Sequence, residues 1–393
     1  MAYLRALPLH PHLDRALAEE FVSFLAWAKR SDREATDASR VVRGLRYLAP
    51  GPSADVPAEQ SVLSDLTLVA GAPRFRALLL LLQYLLMDAR RFDLSLLAEL
   101  EPLERRLPGV APAANLLAVL AAAAEMPSRA STRRLPRHLV EEARSRVREL
   151  AFRVSRGIPY ADLPDLAYDL RLVSFDHDGF SFSLQPFTGL VRAFRPHAPY
   201  ALLVLPEDGT AYDARGYAWR PTCSCEPALI AHVRTADAVL EANAIIGADG
   251  LCRRAEVRLG PPVPDPLLAP GDDALEMHVG PGADLSERSV TRAMTAARHH
   301  YRQHFPDYSP QAAFMVSWLL DPQLRSLLPR RSRIARFQTL FRLYPARYDP
   351  NYARECVLGS LTPARPPTAL QQALLILEEG GGCLKEGGGF LPF

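Results

Sequence analysis

Up to Arg156, apolar residues recur at helical spacing and nowhere alternate with period two. Leu17, Phe21, Phe24, Leu25 and Ala28 share one face of a helix predicted from Leu13 to Arg30. Further helices are predicted near Val41–Leu48, Glu59–Val69, Pro73–Arg90, Leu94–Arg105, Ala113–Ala124 and Pro136–Arg156. Pro73 suits a first helical turn. In the last of these helices Glu141 and Glu142 come early and arginines late, as the helix dipole favours. The pattern is that of an all-α domain of about six helices.

From Gly157-Ile-Pro159 onward the pattern changes. Arg171–Asp176 and Phe180–Leu184 flank Asp178-Gly179, a hairpin signal, and Gly189–Phe194 and Tyr200–Leu205 continue as strands. Asp208-Gly209 is a further turn, and Ala242–Ile246 and Ala255–Leu259 read as strands about Asp249-Gly250. Pro261–Pro270 reads as a proline-rich linker. It leads into the most organised stretch, Ala274 to Pro322. Ala274-Leu-Glu-Met-His-Val279 is a buried strand, and Gly280-Pro281-Gly282 is a turn. Ser286 is an N-cap type, and Glu287 sits in the first turn of a helix running to about Gln303. Ala312–Leu320 is a second buried strand, closed by Asp321-Pro322. Two such strands with a helical crossover form a parallel βαβ unit, and the turn after the first places N–H groups where an anion would bind. Beyond it a short helix is expected over Asp321–Leu328. Ile334–Leu343 fits helix and strand equally. Asn351–Val357 and Thr368–Leu377 read as helices, and Gly387-Gly-Gly as a flexible tail. The fold class is α/β, α+β overall: a helical domain over 1–160, then a mixed sheet flanked by helices over 161–393.

Composition narrows the function. The net charge of +2 gives no global field toward nucleic acid or membrane. Only Lys29 and Lys385 among the 46 basic residues are lysine, a bias of coding sequence rather than an RNA-binding signature. Five scattered cysteines do not make a disulfide framework. The runs Ala77–Met87 and Leu116–Ala124 fall short of the roughly 20 residues of a bilayer span, and no signal pattern is present, so a reducing, cytoplasmic compartment is expected. Cys223-Ser-Cys225 has no second pair at zinc spacing, so no metal is expected. His299-His300 reads as a solvated helix face. There is no P-loop and no Gly-x-Ser-x-Gly elbow.

His278-Val-Gly280, the helix end near His304-Phe-Pro306, Ser317-Trp-Leu-Leu-Asp-Pro322, and Ser332-Arg-Ile334 with Phe337-Gln338 carry a resemblance. So do Thr368-Ala-Leu-Gln-Gln-Ala, Gly380-Gly-Gly and Phe390-Leu-Pro. Together they resemble a bacterial two-domain acyltransferase family with an N-terminal helical domain and a GNAT-like C-terminal domain. The resemblance implies an N-acyltransferase that moves an acyl group from an acyl-CoA type thioester to a small-molecule amine by direct attack. It implies a donor held between splayed strands Leu275–Val279 and Ala312–Leu320, with its pyrophosphate near Val279, Gly280, Gly282, Ala283 and Ser286. His278 would be the general base, and an imidazole pKa near ~6.5 suits that task. Ser317 would donate to the oxyanion or thiolate, and Asp321 joins the catalytic set, although Asp-Pro also opens helices well. Trp318, Phe337 and Gln338 would line a substrate pocket. The usual GNAT turn is Gln/Arg-x-x-Gly-x-Gly/Ala, whereas this chain has Gly-Pro-Gly-Ala-Asp: Pro281 lacks an N–H and Asp284 repels phosphate. Two alternatives therefore stay open: an aminoacyl-tRNA or carrier-protein donor for an amide-forming transferase, and a non-catalytic binding module on a GNAT scaffold. No DNA or membrane partner is expected.

Overall fold

The computed structural model describes residues 23–24, 26–28, 37–49, 57–88, 94–101, 105–153, 158–195, 202–220, 226–261, 266–347, 350–359 and 367–393. Most of the predicted Leu13–Arg30 helix, and Cys223 and Cys225, lie outside them; residues 23–24 and 26–28 are helical. The chain divides into two compact units. One is Met1–Phe175 with Gln303–Pro306, the other Asp176–Arg302 with Asp307–Phe393.

The first unit is helical: α1 (Ala38–Leu48), α2 (Glu59–Gly71), α3 (Pro73–Met87), α4 (Val110–Ala123), α5 (Met126–Arg133), α6 (Arg137–Arg153) and α7 (Leu163–Arg171). The predicted Leu94–Arg105 helix is a 3-10 stretch over Leu94–Leu100. Helix α4 is the centre. It is apolar on every side and buried from Ala113 through Ala123, as a helix surrounded by others must be. By length and composition Val110–Arg133 would also cross a membrane, but 72% of its apolar window is buried in this core. A Cβ on Gly44 would lie 1.7 Å from the Leu120 carbonyl oxygen, so only glycine permits the close crossing of α1 over α4. The helical unit runs past residue 160, because Leu163, Leu166, Ala167 and Leu170 of α7 join this core. Arg146 also pairs with Asp169 at 2.7 Å. Arg171 ends α7 rather than opening a strand, and its guanidinium donates to the Leu86 carbonyl at 3.1 Å.

The second unit is built on strands β1 (Ser174–His177), β2 (Phe180–Pro186), β3 (Val191–Phe194), β4 (Leu203–Pro206), β5 (Ala211–Tyr212), β6 (Leu229–Ile230) and β7 (Val233–Ala236). They continue with β8 (Val239–Ile246), β9 (Cys252–Leu259), β10 (Pro266–Leu268), β11 (Asp273–Val279), β12 (Ala312–Ser317), β13 (Arg342–Pro345) and β14 (Gly387–Pro392). The main sheet has the order β1-β2-β11-β12-β14-β13 and is mixed, with β11 parallel to β12 and antiparallel to β2. Asp178 and Gly179 both have positive φ (52° and 82°), as a two-residue hairpin turn requires. Helix α8 (Glu287–His304) crosses from β11 to β12 and buries Val290, Ala293, Met294, Ala297 and Tyr301 at helical spacing. The Tyr301 hydroxyl donates to the Phe182 carbonyl at 2.6 Å. On the other face Ala274, Phe314, Tyr344 and Phe390 share a core with Val191, Val204, Tyr212 and Ile246 of the smaller sheets. Phe187 lies edge-on to Phe314 with centroids 5.2 Å apart, within the favourable range for such pairs.

Several expectations are corrected. The second buried strand ends at Ser317, and Trp318–Leu320 is a 3-10 turn. Ile334–Leu343 is divided: α10 (Arg333–Gln338) is followed by β13. The Asp321–Leu328 helix shrinks to α9 (Leu324–Leu327). The linker before β11 contains β10, which pairs with β3 at the proline-compatible edge of its sheet. His300 is buried, and only His299 is solvated. Helices α11 (Pro350–Leu358) and α12 (Ala369–Glu379) form as expected, with Thr368 and Gln371 making a capping box at the start of α12. The glycine tail is the largest correction. Gly387–Pro392 is a buried strand between β12 and β13. A Cβ on Gly387 would sit 2.2 Å from the Leu320 carbonyl oxygen, and one on Gly388 2.1 Å from the Tyr344 ring. The glycines answer close packing, not flexibility.

Gly388→Ala is therefore expected to destabilise by about 1–3 kcal/mol, as overpacking does. Gly260→Ala, with nothing within 4 Å of its Cβ position, should change stability by less than about 0.5 kcal/mol. Urea unfolding of both variants checks this, and equal midpoints would contradict the packing of β14.

Candidate active site

Strands β11 and β12 pair only at Leu275↔Ala313 and Glu276↔Phe314. Beyond that point β11 stays with β2 as far as Val279, and β12 stays with β14 as far as Ser317. The parallel strands thus part at Met277 and Met315, one residue before His278, in keeping with the splayed strands that the resemblance implies. A cleft of about 600 Å³ lies there, a volume within the range of small-ligand sites. His278 to Ala283 and Leu285 form one wall, Met315 to Leu319 the other, and Ile334, Tyr352 and Cys356 complete it. A wider open groove of about 830 Å³ follows the exposed side of α8 from Glu287 to His299, with His177 of β1 beside it, but neither wall strand contributes to it.

The turn between β11 and α8 is held from below. Gly280 N–H donates to the Gly179 carbonyl at 2.8 Å, and Ala283 N–H to the Gly280 carbonyl at 3.2 Å. With Pro281 lacking an N–H, two of the turn's amides are already engaged. Ser286 is the cap residue: its hydroxyl accepts from Ser289 N–H at 3.3 Å. Asp284 accepts from the Ser286 N–H and hydroxyl at 3.1 and 2.8 Å. Those bonds, with the charges of Arg333 and Arg292, hold the Asp284 carboxyl below the usual carboxylate range. The charges of Arg333 and Arg292 thus act on the acidic residue that would repel a phosphate, while the Arg292 guanidinium itself pairs with Asp178.

His278 stands at the mouth of the cleft with its side chain 53% exposed, its Nε2 3.2 Å from a Glu276 carboxylate oxygen. Glu276 is mostly buried, and its same oxygen also accepts from the Gln185 side-chain amide. Glu276 is missing from the residues singled out by sequence. The available signal is a charged residue in an otherwise apolar buried strand, two places before His278 and so on the same face. Ser317 lies in the opposite wall, where its hydroxyl oxygen accepts from Leu319 N–H at 3.2 Å and starts the 3-10 turn.

Residues 198–391 match the family model of a GNAT-like C-terminal domain. These residues form a GNAT-like domain. Among solved structures, the chain is similar to an acyltransferase in complex with decanoyl-CoA and teicoplanin, at 16% identity over 88% of this chain and 86% of that one, with a TM-score of 0.40. It is also similar to an acyltransferase in complex with decanoyl-CoA, at 15% identity over 91% of this chain and 99% of that one, with a TM-score of 0.42. No curated protein matches the chain.

In the GNAT-like domain Val279, Gly280, Gly282 and Ala283 come together in the cleft wall with His278, Ser317 and Trp318. Three other expected site residues lie behind that wall. Phe337 is fully buried against Phe341. Gln338, also fully buried, donates to the Leu319 and Asp321 carbonyls at 2.8 and 2.9 Å and accepts from Arg325 at 3.1 Å. Asp321 is buried and accepts from Gln323 N–H and its side-chain amide, both at 2.9 Å, and from Lys385 N–H at 2.7 Å. Burial pushes the Asp321 carboxyl up, and these hydrogen bonds oppose it. Gln338 thus holds the turn Trp318–Leu320 that ends the second wall, and Asp321, which also faces the Tyr217 hydroxyl at 3.5 Å, ties the chain after that turn to the segment before β14. Among the described residues no three histidine, cysteine or acidic side chains cluster as metal ligands.

Asp321→Asn exchanges one acceptor oxygen for a donor opposite donors. It is expected to cost about 1–3 kcal/mol of stability while leaving the turnover of the folded fraction within a few-fold. Chemical denaturation alongside activity per folded molecule checks this, and lost turnover in a fully stable variant would place Asp321 in the chemistry.

Proposed function

We propose that the GNAT-like domain transfers an acyl group from an acyl-CoA type thioester to the amine of a small molecule by direct attack. The observation that carries this reading is the separation of β11 from β12 with His278 at its mouth, beside the glycine turn that starts α8. The donor's thin pantetheine arm would lie in the cleft between the two strands. Its phosphates would meet the Gly282 region, Ser286 and the guanidinium groups of Arg292 and Arg333. His278 takes the proton of the acceptor ammonium. The freed amine forms a bond to the thioester carbonyl, the carbon–sulfur bond breaks, and the thiolate takes a proton. The Ser317 hydroxyl, whose oxygen already accepts from Leu319, still has its own proton to offer to the oxyanion or the thiolate. Cys252, Cys356 and Cys383 are free thiols, in keeping with a reducing, cytoplasmic setting.

A second reading keeps the transferase and changes the donor to an aminoacyl-tRNA or a carrier-protein thioester. It is favoured by the turn itself, where the Gly280 and Ala283 amides are engaged and Pro281 has none to give. The positive charges of Arg333 and Arg292 that act on Asp284 support a phosphate-bearing donor in either case.

CoA at about one hundred times its Kd should stabilise the chain by about 2.7 kcal/mol and raise the thermal midpoint by several degrees. No shift with CoA, together with binding of aminoacyl-tRNA or a loaded carrier protein, would move the assignment to the second reading. His278→Ala should lower turnover by roughly 10²–10⁴ and leave donor affinity nearly intact. Unchanged turnover in a folded His278→Ala protein would remove it as the base.

A further inference from the structure

Between Asp321 and Asp349 the chain carries seven arginines and no acidic residue. Four of them, Arg330, Arg331, Arg333 and Arg336, lie on the turn before α10 and on α10 itself, and all four are exposed. Helix α10 buries Ala335, Phe337 and Gln338 and lends Ile334 to the cleft wall. The arginines thus stand beside the cleft without lining it. Elsewhere on this surface guanidinium groups have carboxylate partners: Arg234 and Arg258 with Glu241, Arg292 with Asp178, Arg354 with Glu378. Among the described residues no carboxylate pairs with any of these four, and no hydrogen bond holds their side chains. Arg333 and Arg336 are also neighbours at i,i+3 on the helix, where like charges repel. Crowded cations of this kind destabilise one another, and a bound anion would relieve the repulsion.

We propose that Arg330, Arg331 and Arg336 form the site for the terminal phosphate monoester of the donor, the 3′-phosphate that CoA carries on its ribose. This rests on the acyl-transfer reading above. A donor whose pantetheine arm lies in the cleft brings its pyrophosphate to the glycine turn, and the charge of Arg333 reaches Asp284 of that turn. The cluster is therefore on the side where the rest of the donor leaves the cleft. At the turn itself little is left to grip a pyrophosphate, since the Gly280 and Ala283 amides are engaged and Arg292 is paired. A phosphate monoester is close to a dianion at neutral pH and presents three strong acceptor oxygens. A guanidinium offers its donors in a fork that matches such a group. Affinity is thereby moved from the turn to the far end of the donor. The same chemistry sorts donors. A phosphopantetheine arm on a carrier protein and the phosphates along a tRNA backbone are diesters, without the second charge.

The test is isothermal titration of the full chain with CoA and with 3′-dephospho-CoA, which differ only in the monoester. CoA should bind about ten- to a hundredfold more tightly, the range of one charge-assisted hydrogen bond. Arg330→Gln, Arg331→Gln and Arg336→Gln together should bring CoA down to the affinity of 3′-dephospho-CoA, whose own affinity should stay within about twofold. These side chains hold nothing in the resting chain, so the thermal midpoint of the triple variant should not fall. Equal binding of the two ligands by the unaltered chain overturns the proposal, needs no variant, and leaves the acyl-CoA donor in place. A triple variant that keeps the full preference for CoA overturns it too, as does one that weakens both ligands alike. Binding of neither ligand defeats the acyl-CoA reading and the proposal with it.

Discussion

The two parallel strands at the centre of the main sheet are each held more strongly by an outer neighbour than by one another. β11 keeps its antiparallel ladder with β2 to Val279, and β12 keeps its ladder with β14 to Ser317, while the bond between β11 and β12 ends at Glu276 and Phe314. Backbone groups left unpaired inside a protein are costly unless something satisfies them. An opening between strands is therefore a standing invitation to a ligand with amides of its own. The cleft, the placement of His278 and the turn above it all follow from this unequal pairing.

Keeping the opening in place requires a rigid second wall. That wall ends in the 3-10 turn Trp318–Leu320, a short and intrinsically weak element. Gln338 ties it to α10, and Asp321 ties it to the segment before β14. Lys385, one of only two lysines in an arginine-rich chain, stands 3.3 Å from Asp213 and over the Tyr217 ring at 3.6 Å. Its compact ammonium suits a cation–π contact in a nearly buried place. The polar residues of the Ser-Trp-Leu-Leu-Asp-Pro and Phe-Gln runs are thus mainly parts of one scaffold.

Periodicity made the helices and the central strand-turn-helix-strand unit legible from sequence, because their buried faces impose spacings of 3.6 and 2. It failed where side chains are not what packs. β14 is a run of glycines whose fit depends on Tyr344, Leu320 and Phe341, residues distant in sequence. β10 hides among prolines because it needs only one partner strand. At the site, the turn and His278 were visible, whereas Gln338 was expected in a substrate pocket and Asp321 in the catalytic set. A polar side chain in a sequence does not reveal whether its partner is a ligand or a backbone carbonyl. Glu276 was passed over for the converse reason: it sits among apolar neighbours, and its link to Gln185 exists only once β2 lies beside β11.

The position of β14 also governs when a molecule of this protein becomes competent. β12 borders the cleft, yet its outer neighbour is the strand Gly387–Pro392, separated from it by α9, α10, β13, α11 and α12. During translation, a nascent chain that has emerged as far as β12 can form β11, α8 and the glycine turn, but the second wall has no ladder to lean on. Pairing across so long a loop is slow compared with helix formation. The ribosome must therefore deliver residues through Pro392 before the wall closes, so an interrupted synthesis product would carry His278 without an enclosed cleft around it.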